Sequence, residues 1–381
     1  MHKPDYLNSI VNVMSSISSA LGASSRYAKL KSLKPDDLRS RNIVLMVIDG
    51  LGYEFLMRYG DGTILKENVR ARITSAFPST TASCITSFAM GTAPQQHGIT
   101  GWHMSLKEIG LQANILPFTS RLGGVPLQLL NIDPKAIIGG KPFADRLKAK
   151  CVHVLPKKVS KTPYTLAVAG KGSIIPYTSL TGFTRAVSRQ IKAKSRKKFI
   201  YAYWPDLDTV GHALGINSRT AQRHLMAVNK QLTGMISKAK NTTFIITADH
   251  GLIDTKAGHN ISIKKHPKLR ECLSQLLCGE GRLPYCYVRP SKAKQFERYV
   301  NSRLKHACLL KKSHELVKQG YFGLFKPDSR LYHRVGDYVL MMKDDYVIKD
   351  ELLGQETHFH RGNHGGLSKD EMYVPLIVIK K

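Results

Sequence analysis

Several features are missing from this sequence of 381 residues, and each absence argues against a class of protein. No apolar run approaches the roughly 18–20 residues that a membrane-spanning helix needs. Asn and Ser interrupt every apolar run near the N-terminus, so there is no clean signal-peptide core and we expect a cytoplasmic protein. The six cysteines form no CxxC pair, which argues against a cysteine zinc site, and reduced thiols are the simpler interpretation.

Acidic residues are also scarce, because 27 Asp and Glu face 58 Lys and Arg and leave a net charge of +31. A field of this sign attracts phosphate esters, nucleotides, nucleic acid and acidic membrane surfaces without choosing among them. The basic residues cluster at 185–198, 264–270 and 292–312. No nucleic-acid recognition motif accompanies them, and a solvated basic surface is the alternative interpretation.

Short apolar runs at 42–48, 199–204, 243–248 and 374–379 have the pattern of strands buried on both faces. Helical segments separate them, which predicts an α/β fold with a doubly wound, mainly parallel sheet, an inserted lid region and a small α+β accessory subdomain. At the N-terminus, apolar residues at helical spacing predict an amphipathic helix, namely Leu7, Ile10, Met14, Ile17 and Leu21.

The predicted organisation has four parts. Residues 1–40 form the N-terminal helix and a linker, and the α/β core comprises 41–111, 199–283 and 326–381. Residues 112–198, which hold Gly-Gly pairs, several prolines and little periodicity, are the expected lid. Residues 284–325 follow a strand, helix, strand pattern and form the expected accessory subdomain.

Acidic and histidine side chains follow the predicted strands, where ligands bind in open α/β sheets. They are Asp49, Asp206, Asp208, His212, Asp249, His250 and His364. An Asp-Gly pair after a strand is usually only a turn, and a four-residue Asp–His spacing also arises by chance. Together, however, carboxylates and imidazoles in this number suit two zinc or similar divalent ions.

A candidate nucleophile lies in the stretch Phe77-Pro78-Ser79-Thr80-Thr81, which leads into a predicted helix. Free backbone N–H groups and the helix dipole at such a start favour a phosphate. The alternative is that these hydroxyls only cap the helix, and we expect one of them to do so. Helix-start patterns alone leave open which hydroxyl attacks.

The ordered motifs resemble those of the alkaline phosphatase superfamily, in particular its type I phosphodiesterase/nucleotide pyrophosphatase family. They are Val47 to Gly50, Phe77 to Gly91, Pro94 to Gly98, Asp208 to His212, Asp249 to Gly251 and His364 to Gly366. The resemblance extends from about Asn42 to the C-terminus. It implies a phosphatase-like fold and two zinc ions, with manganese or another divalent metal as the alternative.

The resemblance also implies a role for each residue. In this family the nucleophile lies ten residues before the glycine that ends its helix motif, and counting back from Gly91 selects Thr81 over Thr80. Asp49, Asp249 and His250 would then bind one metal together with Thr81. The other metal would bind Asp208, His212 and His364, which leaves Asp206 as an extra carboxylate.

One position departs from the family pattern. The pyrophosphatases carry a phosphate-binding asparagine beyond the nucleophile, and Trp102 stands at that place here. Tryptophan has a single N–H donor and cannot imitate an amide. Thr100 or His103 would substitute, or the substrate differs. The sulfatase Cys/Ser-x-Pro-x-Arg motif does not stand at Thr81, which argues against that branch.

The expected activity is metal-dependent cleavage of a phosphodiester or pyrophosphate bond through a phosphothreonine. Two ions about 3.5–4 Å apart would hold the attacking and leaving oxygens. The expected substrate is a small phosphoester such as a nucleotide. The alternatives are a phosphomonoesterase or phosphonate hydrolase using the same site, and a basic nucleic-acid-binding protein whose enzyme site is secondary or decayed.

Overall fold

A computed structural model describes residues 1–350, 352 and 359–381 of the protein. The predicted core segment 326–381 therefore lies partly outside the described residues. Among the residues that are described, no helix combines the length and the apolar character that crossing a membrane requires.

The strands of the described chain are numbered in chain order. They are β1 Asn42–Ile48, β2 Val69–Thr74, β3 His103–Leu106, β4 Leu111–Asn114, β5 Thr119–Ser120, β6 Lys150–Pro156, β7 Ser173–Tyr177, β8 Lys198–Trp204, β9 Thr242–Thr247, β10 Ile253–Asp254, β11 Asn260–Ser262, β12 Cys278–Glu280, β13 Leu283–Cys286, β14 Cys308–Lys312, β15 Tyr338–Met342, β16 Val347–Lys349, β17 Gly362–Asn363 and β18 Tyr373–Lys380.

The helices are numbered in the same way. They are α1 Ile10–Ala20, α2 Tyr53–Tyr59, α3 Ile64–Glu67, α4 Thr81–Met90, α5 Pro94–His97, α6 Pro134–Ile137, α7 Phe143–Arg146, α8 Pro163–Ala169, α9 Leu180–Lys192, α10 Asp206–Leu214, α11 Arg219–Ile236, α12 Pro267–Arg270, α13 Ala293–Tyr299, α14 Ser313–Lys318, α15 Leu331–Arg334 and α16 Lys369–Met372.

The main sheet has the strand order β2-β18-β9-β1-β8-β6-β7. The five strands from β9 to β7 are parallel, and β18 runs antiparallel to both of its neighbours. All residues of β1 and β9 are buried, as expected for inner strands of a mainly parallel sheet. Ile48 pairs with Trp204, so the chain leaves β1 and β8 at the same edge of the sheet. The predicted α/β class with a mainly parallel sheet is confirmed.

Two strands of this sheet come from the range 112–198, which we expected to form a lid. β6 pairs with β8, and β7 forms the edge of the sheet beside β6. Both strands contain a proline, Pro156 and Pro176, and β7 is largely half-exposed, so neither shows the apolar run of a buried strand. Their place is set by pairing with distant strands. The lid interpretation is therefore wrong for these two strands.

The N-terminal helix differs from the sequence prediction in how much of it is buried. Every residue of α1 from Ile10 to Ser18 is buried, including its serines, so the helix has no solvent-facing side over that stretch. Leu7, which we assigned to the apolar face, lies before the helix and is 64% exposed. Hydrogen bonds satisfy several of the buried polar groups, as when Asn12 Nδ2 donates to the carbonyl oxygens of Tyr6 and Ala28, whereas the Ser18 hydroxyl has no partner among the described residues.

A second, antiparallel sheet has the order β14-β15-β13-β12-β3-β4-β5. Of the strands of this sheet, the predicted subdomain at 284–325 contains only β14 and most of β13. The rest of the sheet is contributed by segments before and after it, since β13 pairs with β15 and β12 pairs with β3. Glu280, the last residue of β12, lies at the edge of the candidate site.

Candidate active site

The chain brings the seven predicted site residues together at one edge of the main sheet. Asp49 follows β1, and Asp249 and His250 follow β9. Helix α10 begins at Asp206 directly after β8, which places Asp208 and His212 one turn apart on the same face. His364 follows the short strand β17, and Thr81 is the first residue of α4. The carboxyl ends of the parallel strands thus form the site.

Thr81 lies against the first group of potential metal ligands. Its Oγ1 is 3.0 Å from His250 Nε2, which in turn lies 3.4 Å from Asp49 Oδ1 and from Asp249 Oδ2. Potential ligand atoms of Asp49, Asp249 and His250 all lie within 4.8 Å of one another. These are the residues that the sequence assigned to the metal beside Thr81.

The second group overlaps the first. Potential ligand atoms of Asp208, His250 and His364 also lie within 4.8 Å of one another. His212 is not part of this triplet, but its Nε2 is 3.4 Å from Asp208 Oδ2 and its ring centroid is 5.0 Å from that of His364. His250 thus lies between the two groups, a position that the sequence did not indicate. Asp206 belongs to neither of the two groups found among the described residues.

Backbone contacts orient two of the imidazoles. His212 Nδ1 is 2.8 Å from the carbonyl oxygen of Gly362, and His250 Nδ1 is 3.2 Å from that of Gly251. A carbonyl oxygen can only accept, so each Nδ1 carries the proton and each Nε2 keeps a free lone pair. Burial lowers the pKa of His212 to about 4 and that of His250 to about 3. Both rings are therefore neutral at pH 7, which is the form that binds metals.

The carboxyl groups are buried close to one another. Burial raises the pKa of Asp49, and the charge of Asp249 raises it further. Burial also raises the pKa values of Asp249 and Asp208, and the latter is raised further by the charges of Asp49 and Glu280. A divalent cation would offset the negative charge of such a cluster of acidic groups.

The two neighbouring threonines face different partners. Thr80 Oγ1 donates to Glu280 Oε1 at 2.6 Å, whereas Thr81 Oγ1 faces His250. Thr80 occupies the N-cap position of α4, yet its side chain makes no capping hydrogen bond. The expectation that one of the three hydroxyls caps this helix therefore fails for Thr80, because its hydroxyl is bound by a carboxylate of the second sheet.

A polar cavity of about 380 Å³ opens beside Thr81, Asp208 and His364. Trp102 and His103 both line it, but Thr100 does not. Trp102 is 36% exposed, and its backbone N–H donates to Glu280 Oε1 at 2.8 Å. Of the two proposed substitutes for the family's asparagine, only His103 therefore lines this cavity.

Two cations also line this polar cavity, Arg121 and Lys349. Arg121 is 8% exposed and donates through Nη1 to Gln112 Oε1 at 3.0 Å. Burial lowers the pKa of Lys349, which the charge of Glu280 partly offsets. The cavity therefore has the size and the polar groups of a ligand-binding site, with Asp208 and Glu280 lining it beside these two cations.

A hydrogen-bond network braces the loop that carries His364. Ser79 Oγ donates to the carbonyl oxygen of Gly366 at 2.7 Å, which joins this loop to the segment before Thr81. The amide of Gly366 donates to Glu371 Oε1 at 2.8 Å, and Arg282 donates to both carboxylate oxygens of Glu371. Arg282 lies in the turn between β12 and β13, so the second sheet supports the ligand loop.

Sequence reasoning missed three residues of this site. Glu280 lies in the polar cavity, where burial raises its pKa to about 7. The hydroxyl of Tyr203 donates to Asp49 Oδ2, and the His360 ring lies 4.5 Å from that of His212. None of the three belongs to a recognisable motif. Only the alternation of β8, which directs Tyr203 and Tyr201 to one face of the sheet, could have suggested the tyrosine.

A match to a family model over most of the chain identifies the family of this protein. The family model described as "Type I phosphodiesterase / nucleotide pyrophosphatase" matches residues 43–367. The chain belongs to this family. The resemblance to the alkaline phosphatase superfamily is thereby confirmed, and the family is one of phosphodiesterases and pyrophosphatases. No curated protein sequence matches the chain.

Solved structures share the fold at low sequence identity. Murine ectonucleotide pyrophosphatase/phosphodiesterase 5 is 16% identical, has a TM-score of 0.67, and is matched over 89% of this chain and 88% of its own. An inactive threonine-to-alanine variant of that murine protein, in complex with AMP, is 17% identical with a TM-score of 0.66 over 88% and 87%. Phosphonoacetate hydrolase from Sinorhizobium meliloti 1021, in complex with phosphonoformate, is 16% identical with a TM-score of 0.64 over 90% of both chains.

Proposed function

We propose that the protein is a two-metal phosphohydrolase that cleaves phosphodiester or pyrophosphate bonds with Thr81 as nucleophile. One metal would be held by Asp49, Asp249, His250 and Thr81. The other would be held by Asp208, His212 and His364. The observation that carries the proposal is the approach of Thr81 Oγ1 to Nε2 of His250, 3.0 Å away, because His250 belongs to both ligand groups.

Unsatisfied polar atoms support the metal assignment. Among the described residues, one buried atom on each of four site side chains has no hydrogen-bond partner: Asp49 Oδ1, Asp208 Oδ1, Asp249 Oδ2 and His364 Nδ1. A buried polar atom without a partner costs about 1–3 kcal/mol, more when charged. Four such atoms converging on one place fit cation binding. Their oxygen and nitrogen donors suit zinc, with manganese as the alternative.

The residues of the chain perform two successive displacements. Thr81 Oγ1 attacks phosphorus, the bond from phosphorus to the leaving oxygen breaks, and the net proton lost from Thr81 ends on the leaving group. Water then attacks the phosphorus of the phosphothreonine, the bond from phosphorus to Thr81 Oγ1 breaks, and a net proton from the water restores the Thr81 hydroxyl as the phosphoryl product leaves. When bound, the two ions lower the pKa of the attacking hydroxyl and stabilise charge on the phosphoryl and leaving oxygens. Two inversions retain configuration at phosphorus.

Metal analysis and hydrolysis assays test the proposal together. We expect close to two zinc or zinc-like ions per chain, and hydrolysis of bis-p-nitrophenyl phosphate that a chelator abolishes and zinc or manganese restores. Asp208→Asn and His364→Ala should each abolish turnover without unfolding the protein, whereas Asp206→Asn should be far milder. No bound metal together with no metal-restored activity would refute the proposal.

The nucleophile is tested by trapping the phosphorylated enzyme. Acid-quenched turnover of a labelled substrate, followed by peptide mapping, should find the label on Thr81. Thr81→Ala should lower kcat by several powers of ten, and Thr81→Ser should keep partial activity because a hydroxyl remains. Thr80→Ala is the matched control, since it removes the same side chain one position away. A label on Thr80, or full activity of Thr81→Ala, would overturn the assignment.

Phosphonate hydrolysis at the same site is the second candidate. It is favoured by Trp102, which stands where the pyrophosphatases carry an asparagine, and by the fold shared with phosphonoacetate hydrolase. Comparing kcat/KM for bis-p-nitrophenyl phosphate, p-nitrophenyl phosphate and phosphonoacetate separates diesterase, monoesterase and phosphonatase activity. A preference of at least tenfold for one substrate identifies the reaction class.

A further inference from the structure

A second cavity meets Thr81 on the side formed by α4 and β8. Its volume is about 110 Å³, and its walls are mainly apolar. Ile85, Phe88 and Ala89 face it from α4, at helical spacing from Thr81. Val168 from α8 also lines it, together with Leu116. The polar cavity described above is also lined by Thr81, so the candidate nucleophile lies where a polar and an apolar cavity meet.

One polar group in this apolar cavity has no partner. Tyr201 is 7% exposed and lines the cavity, and its hydroxyl makes no hydrogen bond to any described residue. Tyr203, two residues further along β8, lines the same cavity but donates its hydroxyl to Asp49. The two tyrosines thus differ in a way that points to a ligand, because a buried hydroxyl without a partner is costly.

We propose that this cavity binds a compact apolar group of the substrate, such as a short alkyl chain, bonded through oxygen to the phosphorus that Thr81 attacks. A polar atom within that group would accept a hydrogen bond from Tyr201. The inference rests on the proposed function and specifies its substrate class. An apolar cavity of about 150 Å³ holds a benzene molecule. A volume of about 110 Å³ therefore suits a short alkyl group and leaves no room for a nucleoside or a long acyl chain.

A series of p-nitrophenyl alkyl phosphates with one leaving group tests the size of the subsite. From methyl to ethyl, propyl and butyl, kcat/KM of the zinc-loaded protein should rise about fourfold per methylene, since burying one CH₂ contributes about 0.8 kcal/mol. Beyond hexyl the rise should stop. A flat series, a rise that continues to dodecyl, or a preference for the nucleoside ester would each overturn the proposal.

Variants of α8 connect the alkyl preference to this cavity. Val168→Phe fills the cavity and should lower the butyl-to-methyl ratio of kcat/KM at least tenfold. Leu166→Phe is the matched control, because Leu166 lies on the same helix and is 53% exposed. If Val168→Phe does not fold, Ala89→Leu fills the cavity from α4 instead. An unchanged ratio in a folded filling variant would show that the alkyl group binds elsewhere.

The role of Tyr201 is tested with two esters of equal length. The 2-methoxyethyl ester has a chain as long as the butyl ester but offers an ether oxygen as acceptor. Tyr201→Phe should lower the methoxyethyl-to-butyl ratio about two- to twelvefold, the value of one neutral hydrogen bond. No change in this ratio would refute the hydrogen bond.

Failure of the subsite and failure of the proposed function give different results. Hydrolysis of the methyl ester without a chain-length gradient refutes the subsite alone. If no ester is hydrolysed, the proposed function fails. Calorimetric binding of butylphosphonate against methylphosphonate then decides the subsite independently, with at least tenfold tighter binding of the butyl compound expected. Equal affinities would overturn it.

Discussion

The buried ion pair between Arg282 and Glu371 provides a test of how the second sheet supports the site. Arg282 Nε lies 3.0 Å from Glu371 Oε1, and its Nη2 lies 2.8 Å from Glu371 Oε2. The two side chains are 1% and 0% exposed. Glu371→Gln keeps the shape of the side chain but removes its charge and turns one acceptor oxygen into a donor.

The stability that Glu371→Gln should lose follows from the contacts that Arg282 and the neighbouring amides would keep. Arg282 would keep a buried positive charge without its partner, and breaking a buried pair in this way costs about 3–5 kcal/mol. The amide of Ser368, 3.3 Å from Oε2, would also face a donor. Because the amide of Gly366 binds the same carboxylate, the loop with His364 should loosen and metal affinity should fall.

The pH dependence of this contribution has a defined sign. Burial raises the pKa of Glu371, but the charge and hydrogen bonds of Arg282 lower it more, so the net pKa lies below the ordinary value of 4.5. A carboxyl whose pKa is lower in the folded state stabilises the protein above the unfolded-state pKa. This stabilisation is lost as the pH falls through the lower, folded-state pKa. The difference between wild type and Glu371→Gln should therefore be constant above about pH 5 and shrink in stronger acid.

Urea unfolding, followed by the fluorescence of the two tryptophans, measures the effect. Glu54→Gln is the matched control, because Glu54 pairs with Lys369 at 3.8 Å and with Arg72 at 3.7 Å, and both cationic side chains are about half exposed. An exposed pair of this kind contributes about 0–1 kcal/mol. If Glu371→Gln costs no more than Glu54→Gln, the buried pair does not stabilise the fold as reasoned here.

Three further predictions concern the metal site. Gly50→Ala should lower the metal content after dialysis, because Gly50 has φ +76° and an added Cβ would lie 3.2 Å from Asp208 Cα. Gly62→Ala is the control and should leave the metal content unchanged, because Gly62 has a similar φ of +68° but open space around it. Tyr203→Phe should weaken metal binding about 10- to 100-fold in a metal titration, since it removes the hydrogen bond that orients Asp49, and unchanged affinity would contradict this role. A chelator should lower Tm more at pH 8 than at pH 5.5. Burial raises the pKa values of the three site aspartates, so their mutual repulsion in the metal-free protein grows as they lose protons with rising pH. An equal loss of Tm at both pH values would contradict this prediction.

Local sequence determined much of the core. The runs 42–48 and 243–248 are apolar enough to be read as strands buried on both faces, and all of their residues are buried. The acidic and histidine residues that follow such strands were located by the same reasoning, because parallel strands end at one edge of the sheet. Family motifs ordered the site residues and selected Thr81 over Thr80.

Tertiary structure alone decided the remainder, since it depends on contacts between residues far apart in the chain. β6 and β7 have weak apolar patterns and become core strands only by pairing beside β8. Glu280 binds the Thr80 hydroxyl 200 residues away, so no local pattern could assign these two side chains to each other. The apolar cavity likewise exists only where one face of α4 meets β8 and α8, and its volume is a property of that packing.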